Sequence, residues 1–338
     1  MKRVALALGL AGLAVAIALV AHTGWRAVLD ALAAAGWPLL WLVPLRMAPL
    51  ALDALGWRVL LAPRDPHGRA RWPVLLAVAA VREGVNRLLP VAGVGGEVVG
   101  IRIVTLRGLD TTAVAASVIT EVVLTLVSLV LFAALGLALL VAWTHGSASI
   151  QVLLVGVLLA LPVPAAGLWL IGEGRLASWF GRFATLVTGR STQPPAWLAS
   201  MPAFEDELSQ LARRRARLAL ATLLQVVGMI AGAAEVWLAL RLLGHPVAWV
   251  PAVIIESAVL FVRNLAFAVP AALGAQEAGV VLICAALGLD PGAAIGLALA
   301  KRMREVLFGV PALLGWHLAE TFAGLTTWQG RPAGDRRD

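Results

Sequence analysis

The chain has 338 residues, 61% of them hydrophobic and 14% charged, with 27 Lys and Arg against 19 Asp and Glu. A mean hydropathy of +0.90 is too high for a soluble domain, so the basic balance and a pI of about 11.3 do not point to nucleic acid. A single cysteine, Cys284, excludes an internal disulfide and any multi-cysteine metal site.

Lys2-Arg3 is followed by an apolar run to Val20 that is long for a cleaved signal, and it reads as a retained first span at about 4–22. Further full-length candidates lie at about 38–61, 112–142, 150–172, 217–243 and 292–322, each near the roughly 20 residues that cross a bilayer core. Trp25, Trp37, Trp57, Trp72, Trp143, Trp237 and Trp249 fall near predicted span ends, as an interfacial belt would place them. Between the spans, residues 173–216 form the longest linker. Its last part, Phe204 to Arg217, reads as an amphipathic helix ending in Arg213-Arg214-Arg215. Two readings stand for it: a helix lying on an anionic inner leaflet, or a plain linker carrying retention charge.

Two other apolar stretches, about 73–106 and 250–288, are broken by a motif that occurs twice, 180 residues apart. Pro90-Val91-Ala92-Gly93-Val94-Gly95-Gly96-Glu97 is followed by Gly108-Leu109-Asp110; Pro270-Ala271-Ala272-Leu273-Gly274-Ala275-Gln276-Glu277 is followed by Gly288-Leu289-Asp290. After Glu97 only a short apolar arm precedes Arg107. At about 1.5 Å per residue it covers about half the bilayer. Each stretch is therefore expected to be a re-entrant helical hairpin with the glycine-rich motif at its tip. The predicted fold is all-α, with about six full spans and two hairpins. It divides into repeat 1 at about 38–143, the linker, repeat 2 at about 217–325, and a tail at 326–338. Most loop arginines, among them Arg64, Arg69, Arg107 and Arg213, then fall on one side, against Arg26 and Arg241 on the other. That bias predicts cytoplasmic N- and C-termini and inverted repeats.

Charges at membrane depth are costly and face a bundle interior. The first hairpin carries Arg82, Glu83, Asn86 and Arg87; the second carries Glu256, Arg263 and Asn264. Glu121 sits about ten residues into its span, and its repeat equivalent Lys301 opens the cluster Lys301-Arg302-Met303-Arg304-Glu305. Six bases and six acids balance in this set, which predicts mutual pairing in a shared cavity. Lys301 and Glu305 share a helical face. Arg82 with Glu83 and Arg302 with Glu305 are candidate structural ion pairs, and Arg46 with Asp53 is either a pair or a cavity wall. Glu97 and Glu277, each opening a hairpin's second arm, either line the cavity or offset helix-dipole charge. Gly93, Gly95 and Gly96 form either an anion-binding nest or a close-packing surface. The candidate cavity set is completed by Gln276. The five histidines have no ligand spacing, and no metal or cofactor is expected.

The run Arg82-Glu83-Gly84-Val85-Asn86-Arg87-Leu88-Leu89-Pro90 through Gly95-Gly96-Glu97 resembles the flippase-like transmembrane superfamily of lysylphosphatidylglycerol synthases. Phe267 through Gly279 and Lys301 through Glu305 are similar to its hopanoid-biosynthesis-associated subgroup. Ala272 departs from the glycine usual there. The resemblance implies a multi-pass protein of the bacterial inner membrane that moves or sequesters a polar-headed lipid, of hopanoid or phospholipid class. Partners of hopanoid biosynthesis or lipid export are implied with it. The synthases add a soluble aminoacyl-transfer domain that is not seen in this sequence, so aminoacylation is not expected. Proton coupling through Glu97, Glu121 or Glu277 is a further expectation. The rival reading is a non-transporting lipid-binding scaffold; a lipid-modifying enzyme is a third.

Overall fold

In the computed structural model, residues 36–89, 95–144, 161–172, 201–265 and 275–329 are described. The first predicted span, the hairpin tips with Gly93, residues 150–160 of the 150–172 span, linker residues 173–200 and tail residues 330–338 lie outside them. All described elements are helical. A short 3-10 turn, Trp37–Trp41, leads into α1, Leu42–Leu61; α2 is Trp72–Leu88, α3 Gly95–Thr105, α4 Thr111–Thr144 and α5 Pro162–Gly172. After the linker come α6, Met201–Arg213, α7, Arg215–Leu242, α8, Trp249–Leu265, α9, Ala275–Ala286, and α10, Pro291–Gln329. By length and apolar composition Trp37–Arg64, Thr111–Thr144 and Arg215–Leu242 are long enough to cross a membrane. Helix α10 is longer still, and the charges that lower its hydropathy are buried inside the protein.

The duplicated motif has a direct local cause. Gly108 and Gly288 take positive φ of 84° and 71°, which ends the preceding short helix. Two residues on, Asp110 and Asp290 cap the next long helix. The Asp110 carboxylate accepts from the Ala113 N–H at 2.8 Å. That of Asp290 accepts from the Gly292 N–H at 2.7 Å. Gly-Leu-Asp is thus a stop and a start fused into one tight turn, used once per repeat.

Both helix pairs return to the end at which they enter. Arg69, just before α2, donates to the Gly108 carbonyl just after α3 at 2.7 Å. In the second repeat, Leu243 at the end of α7 lies against Gly296 near the start of α10, and Val247 packs in the same cluster as Leu287 and Leu289. The 11-residue α3 spans only about 16 Å. These are re-entrant hairpins, as the short arms require.

The repeats are also inverted. Helices α1 and α7 pack antiparallel: Pro49 meets Gly228, Gly56 meets Ala221, and Arg217 donates to the Val59 carbonyl at 2.9 Å. The remaining contacts are reciprocal. Hairpin arm α2 lies antiparallel to α10, with Gly84 against Gly309 and Arg87 beside Glu305. Arm α8 lies antiparallel to α4, where Ser257 leaves no room for a side chain at Gly136. Small residues at these crossings permit the close backbone approach typical of intramembrane packing.

Two expectations need correction or narrowing. Trp57 is not interfacial: it is fully buried, and its indole N–H donates to Ser117 at 3.0 Å. Its ring turns inward from α1, where an apolar platform is needed beneath Arg82, whose guanidinium sits 4.9 Å above it. The amphipathic helix ends at Arg213 rather than continuing to Arg217, because Arg214 leaves helical geometry (φ −86°, ψ 57°) and α7 begins anew. Its Leu208 and Leu211 pack on Ala116 and Val123 of α4, and Arg64 ties it to the end of α1 through Glu207 at 2.7 Å.

Candidate functional site

The charged residues meet where the two hairpins, the two long helices and α1 and α7 converge. In the first repeat Arg82 joins three elements. Its Nη1 donates to both Glu121 oxygens at 3.1 and 2.9 Å, and its other terminal nitrogen pairs with Glu97 at the start of α3. Asn86 reinforces the hairpin: its amide donates to Glu97 at 3.2 Å, and its carbonyl oxygen accepts the Gly96 N–H at 2.8 Å.

A Cβ at Gly96 would stand 2.5 Å from the Arg82 carbonyl, and one at Gly100 would stand 2.8 Å from the Arg82 side chain. At Gly96, then, the glycine serves close packing of the two arms, and its N–H is already taken. Gly95 is half-buried beside it.

In the second repeat the arginine comes from the long helix instead. Arg302 pairs with Glu277, at the start of α9, at 2.6 Å and with Glu305 at 2.9 Å. Lys301 pairs with Glu256 of α8 at 2.6 Å, and Arg304 with Glu235 of α7 at 2.9 Å. Arg263 stands 3.8 Å from Glu305. Gln276 is buried at the hairpin's inner turn. Asn264 is exposed and donates to the Leu260 carbonyl of its own helix, so it is not brought into the cluster.

Among the described residues, two ion pairs join the repeats: Arg87 to Glu305 at 3.4 Å and Arg304 to Glu83 at 3.7 Å. Glu83 is further held by Arg46 at 2.9 Å and Arg87 at 3.0 Å. Nine of the fourteen charged groups are buried, and Arg46, Glu83, Glu97, Arg263 and Glu277 are half-buried. The ion pairs form a cross-repeat group built on Glu83 and Glu305, with Arg82–Glu97–Glu121 and Lys301–Glu256 as separate groups in the same interior.

Several pairings differ from those the spacing suggests. Arg82 reaches Glu97 and Glu121, not Glu83; Lys301 reaches Glu256, not Glu305; Arg46 reaches Glu83, not Asp53. In each case a neighbouring helix presents a carboxylate closer than the one offered by the helix's own sequence. Glu235 is a member that the sequence reading missed. Its only signal was a lone acid in a span, at a position where repeat 1 has Leu55.

Helices of spanning length, inverted hairpins and a buried ionic core define a polytopic membrane protein. The chain belongs to the family described as the lysylphosphatidylglycerol synthase TM region, whose model matches residues 4–315. The match identifies the family and does not reach the hopanoid-associated subgroup. The family ties the protein to a lipid-related role in the membrane. No curated protein and no solved structure matches the chain.

Proposed function

We propose that the protein moves a polar-headed lipid, of phospholipid or hopanoid class, between the leaflets of the bacterial inner membrane. Both termini would be cytoplasmic, in keeping with the arginine bias of the loops. The observation that carries this reading is the set of ion pairs gathered in the protein interior where two inverted hairpins meet. Intramembrane charges of this kind mark substrate paths, and inverted repeats with broken helices provide the two alternating arrangements that transport needs.

The chemistry suits a headgroup. A phosphate can replace a carboxylate on an arginine fork with bidentate geometry, and each carboxylate so released is free to face an ammonium or hydroxyl. The inter-repeat contacts, at 3.4 and 3.7 Å, are longer than the within-repeat pairs Lys301–Glu256, Arg302–Glu277 and Arg304–Glu235 at 2.6, 2.6 and 2.9 Å. Loosening the former frees the charged faces of α2 and α10 from one another while each repeat keeps its own pairs. Lipid tails would stay in the bilayer while the headgroup crosses between Arg87, Arg302 and Arg304. In this reading no covalent bond changes, so the protein is not an enzyme.

The test is transbilayer movement of NBD-labelled phosphatidylglycerol in proteoliposomes, read by dithionite quenching. Movement is expected above that of protein-free vesicles and slower in Glu305→Gln. A wild-type rate equal to that of protein-free vesicles would reject transport in favour of a lipid-binding scaffold.

A further inference from the structure

Each buried glutamate of the network has a cation within 4.0 Å, and each cation of the network is engaged by at least one glutamate. Asp53, on α1, stands apart: among the described residues no hydrogen bond or ion pair reaches it. It nevertheless lies within electrostatic range of Arg82 and Glu83 on α2, Glu97 on α3 and Arg46 on its own helix, and of Glu121 on α4. Between Ala221 and Gly228, the part of α7 that packs here, there is no titratable residue. Helix α10 brings Arg304, which is engaged by Glu83 and Glu235.

Among the described residues of this core, Asp53 is therefore the one carboxylate in excess of the cations. Its neighbours are three other acids, the two arginines in range are already held, Arg82 by Glu97 and Glu121 and Arg46 by Glu83, and its side chain is half-buried rather than sealed. A second negative charge is not stably held in such a place without a partner of its own.

We propose that Asp53 is a proton-binding site, occupied when Arg82 bridges Glu97 and Glu121 and emptied when Arg82 turns to it. The coupling of this event to lipid movement rests on the transport reading above; the proton site itself does not. The step is a single proton transfer between water and the Asp53 carboxyl, with no other bond made or broken. Loss of the proton creates a competitor for Arg82, which draws the guanidinium from Glu97 and so releases the second hairpin arm. Glu97, Glu121 and Glu277, each held by an arginine, are poorer candidates for the same role.

Two measurements separate the claims. Infrared spectra of the reconstituted protein at neutral pH should contain the carbonyl stretch of a protonated carboxylic acid that shifts on [13C]aspartate labelling and is missing in Asp53→Asn. A protonated-acid band insensitive to aspartate labelling, or no such band in the wild type, overturns the site without any need for a folded variant. In vesicles of phosphatidylcholine and phosphatidylglycerol carrying NBD-labelled phosphatidylglycerol, an imposed pH gradient should raise the wild-type rate several-fold. It should leave Asp53→Asn unchanged, and Asp53→Glu should recover the response. A gradient response retained in Asp53→Asn, or absent from a wild type that does move lipid, overturns the coupling. A wild type that moves no lipid at all sinks the transport reading and leaves the infrared result to decide the proton site.

Discussion

The two hairpins share a backbone plan and differ in the polarity of their charges. In repeat 1 the hairpin's first arm supplies the cation, Arg82, and the long helix supplies the anion, Glu121. In repeat 2 the first arm supplies the anion, Glu256, and the long helix the cation, Lys301. Each hairpin's second arm opens with a glutamate, Glu97 or Glu277, and each finds an arginine, but Arg82 comes from α2 and Arg302 from α10. Positions that set the backbone are duplicated, while positions that set the pairing have diverged. A duplicated fold with identical charges would place like against like at its own two-fold interface. Opposite polarity lets two inverted copies meet and neutralise one another, at Arg87–Glu305 and Arg304–Glu83.

The largest break in that comparison comes from stranding one charge. Glu256→Gln leaves Lys301 buried without a partner, and loss of one member of a buried pair typically costs about 3–5 kcal/mol. The variant should unfold at markedly lower temperature in detergent. The exchange Glu256→Lys with Lys301→Glu should recover most of that loss, because it only imposes on repeat 2 the polarity of repeat 1. A double exchange as unstable as the single variant would show that the polarity is fixed by something other than the pair.

Next in size is the hairpin contact. Gly96→Ala places a methyl against the Arg82 carbonyl and should cost about 1–3 kcal/mol, as overpacking does. The equivalent Gln276 shows that the second hairpin has room at this point, so Gln276→Ala should cost less in the same unfolding assay.

The caps offer an internal control. Asp110→Ala and Asp290→Ala should each cost about 1 kcal/mol and by similar amounts, because there the repeats do agree. Unequal losses in thermal unfolding would show that the two turns are not equivalent. Least affected should be Arg64→Ala, since the Arg64–Glu207 bridge is part-exposed and such pairs contribute about 0–1 kcal/mol.

What the sequence makes legible follows the same division. Duplicated turns and short second arms dictate hairpins, because an arm of eleven residues cannot cross and a Gly-Leu-Asp turn must both end and begin a helix. Membership of the ionic core was also readable for Arg82, Glu83, Arg87, Glu97, Glu121 and the 301–305 cluster, since charge in an apolar span has few places to go. Apart from Arg302 with Glu305, the partners were not readable. Which carboxylate faces Arg82 depends on the rotation of α2 about its own axis and its register against α4, and neither is written in local spacing. Glu235, alone in a span, gave no pattern, and Asp53 matters through the absence of a partner that seven residues' spacing to Arg46 appeared to supply. Trp57 misled for a similar reason: closeness to a span end says nothing about which way a ring points.

Inversion of the two hairpins is the claim on which the rest depends, and single-cysteine labelling tests it most directly. In a Cys284→Ala background, cysteine is placed at Arg107, in the exposed turn after α3, or at Ala286, exposed at the end of α9. Each is then exposed to a membrane-impermeant maleimide in right-side-out and inside-out vesicles. The inverted arrangement predicts labelling from opposite faces; with the orientation proposed from the loop arginines, position 107 labels from the cytoplasmic side and position 286 from the outer side. Labelling of both positions from one face would contradict the inverted arrangement and the transport path built on it.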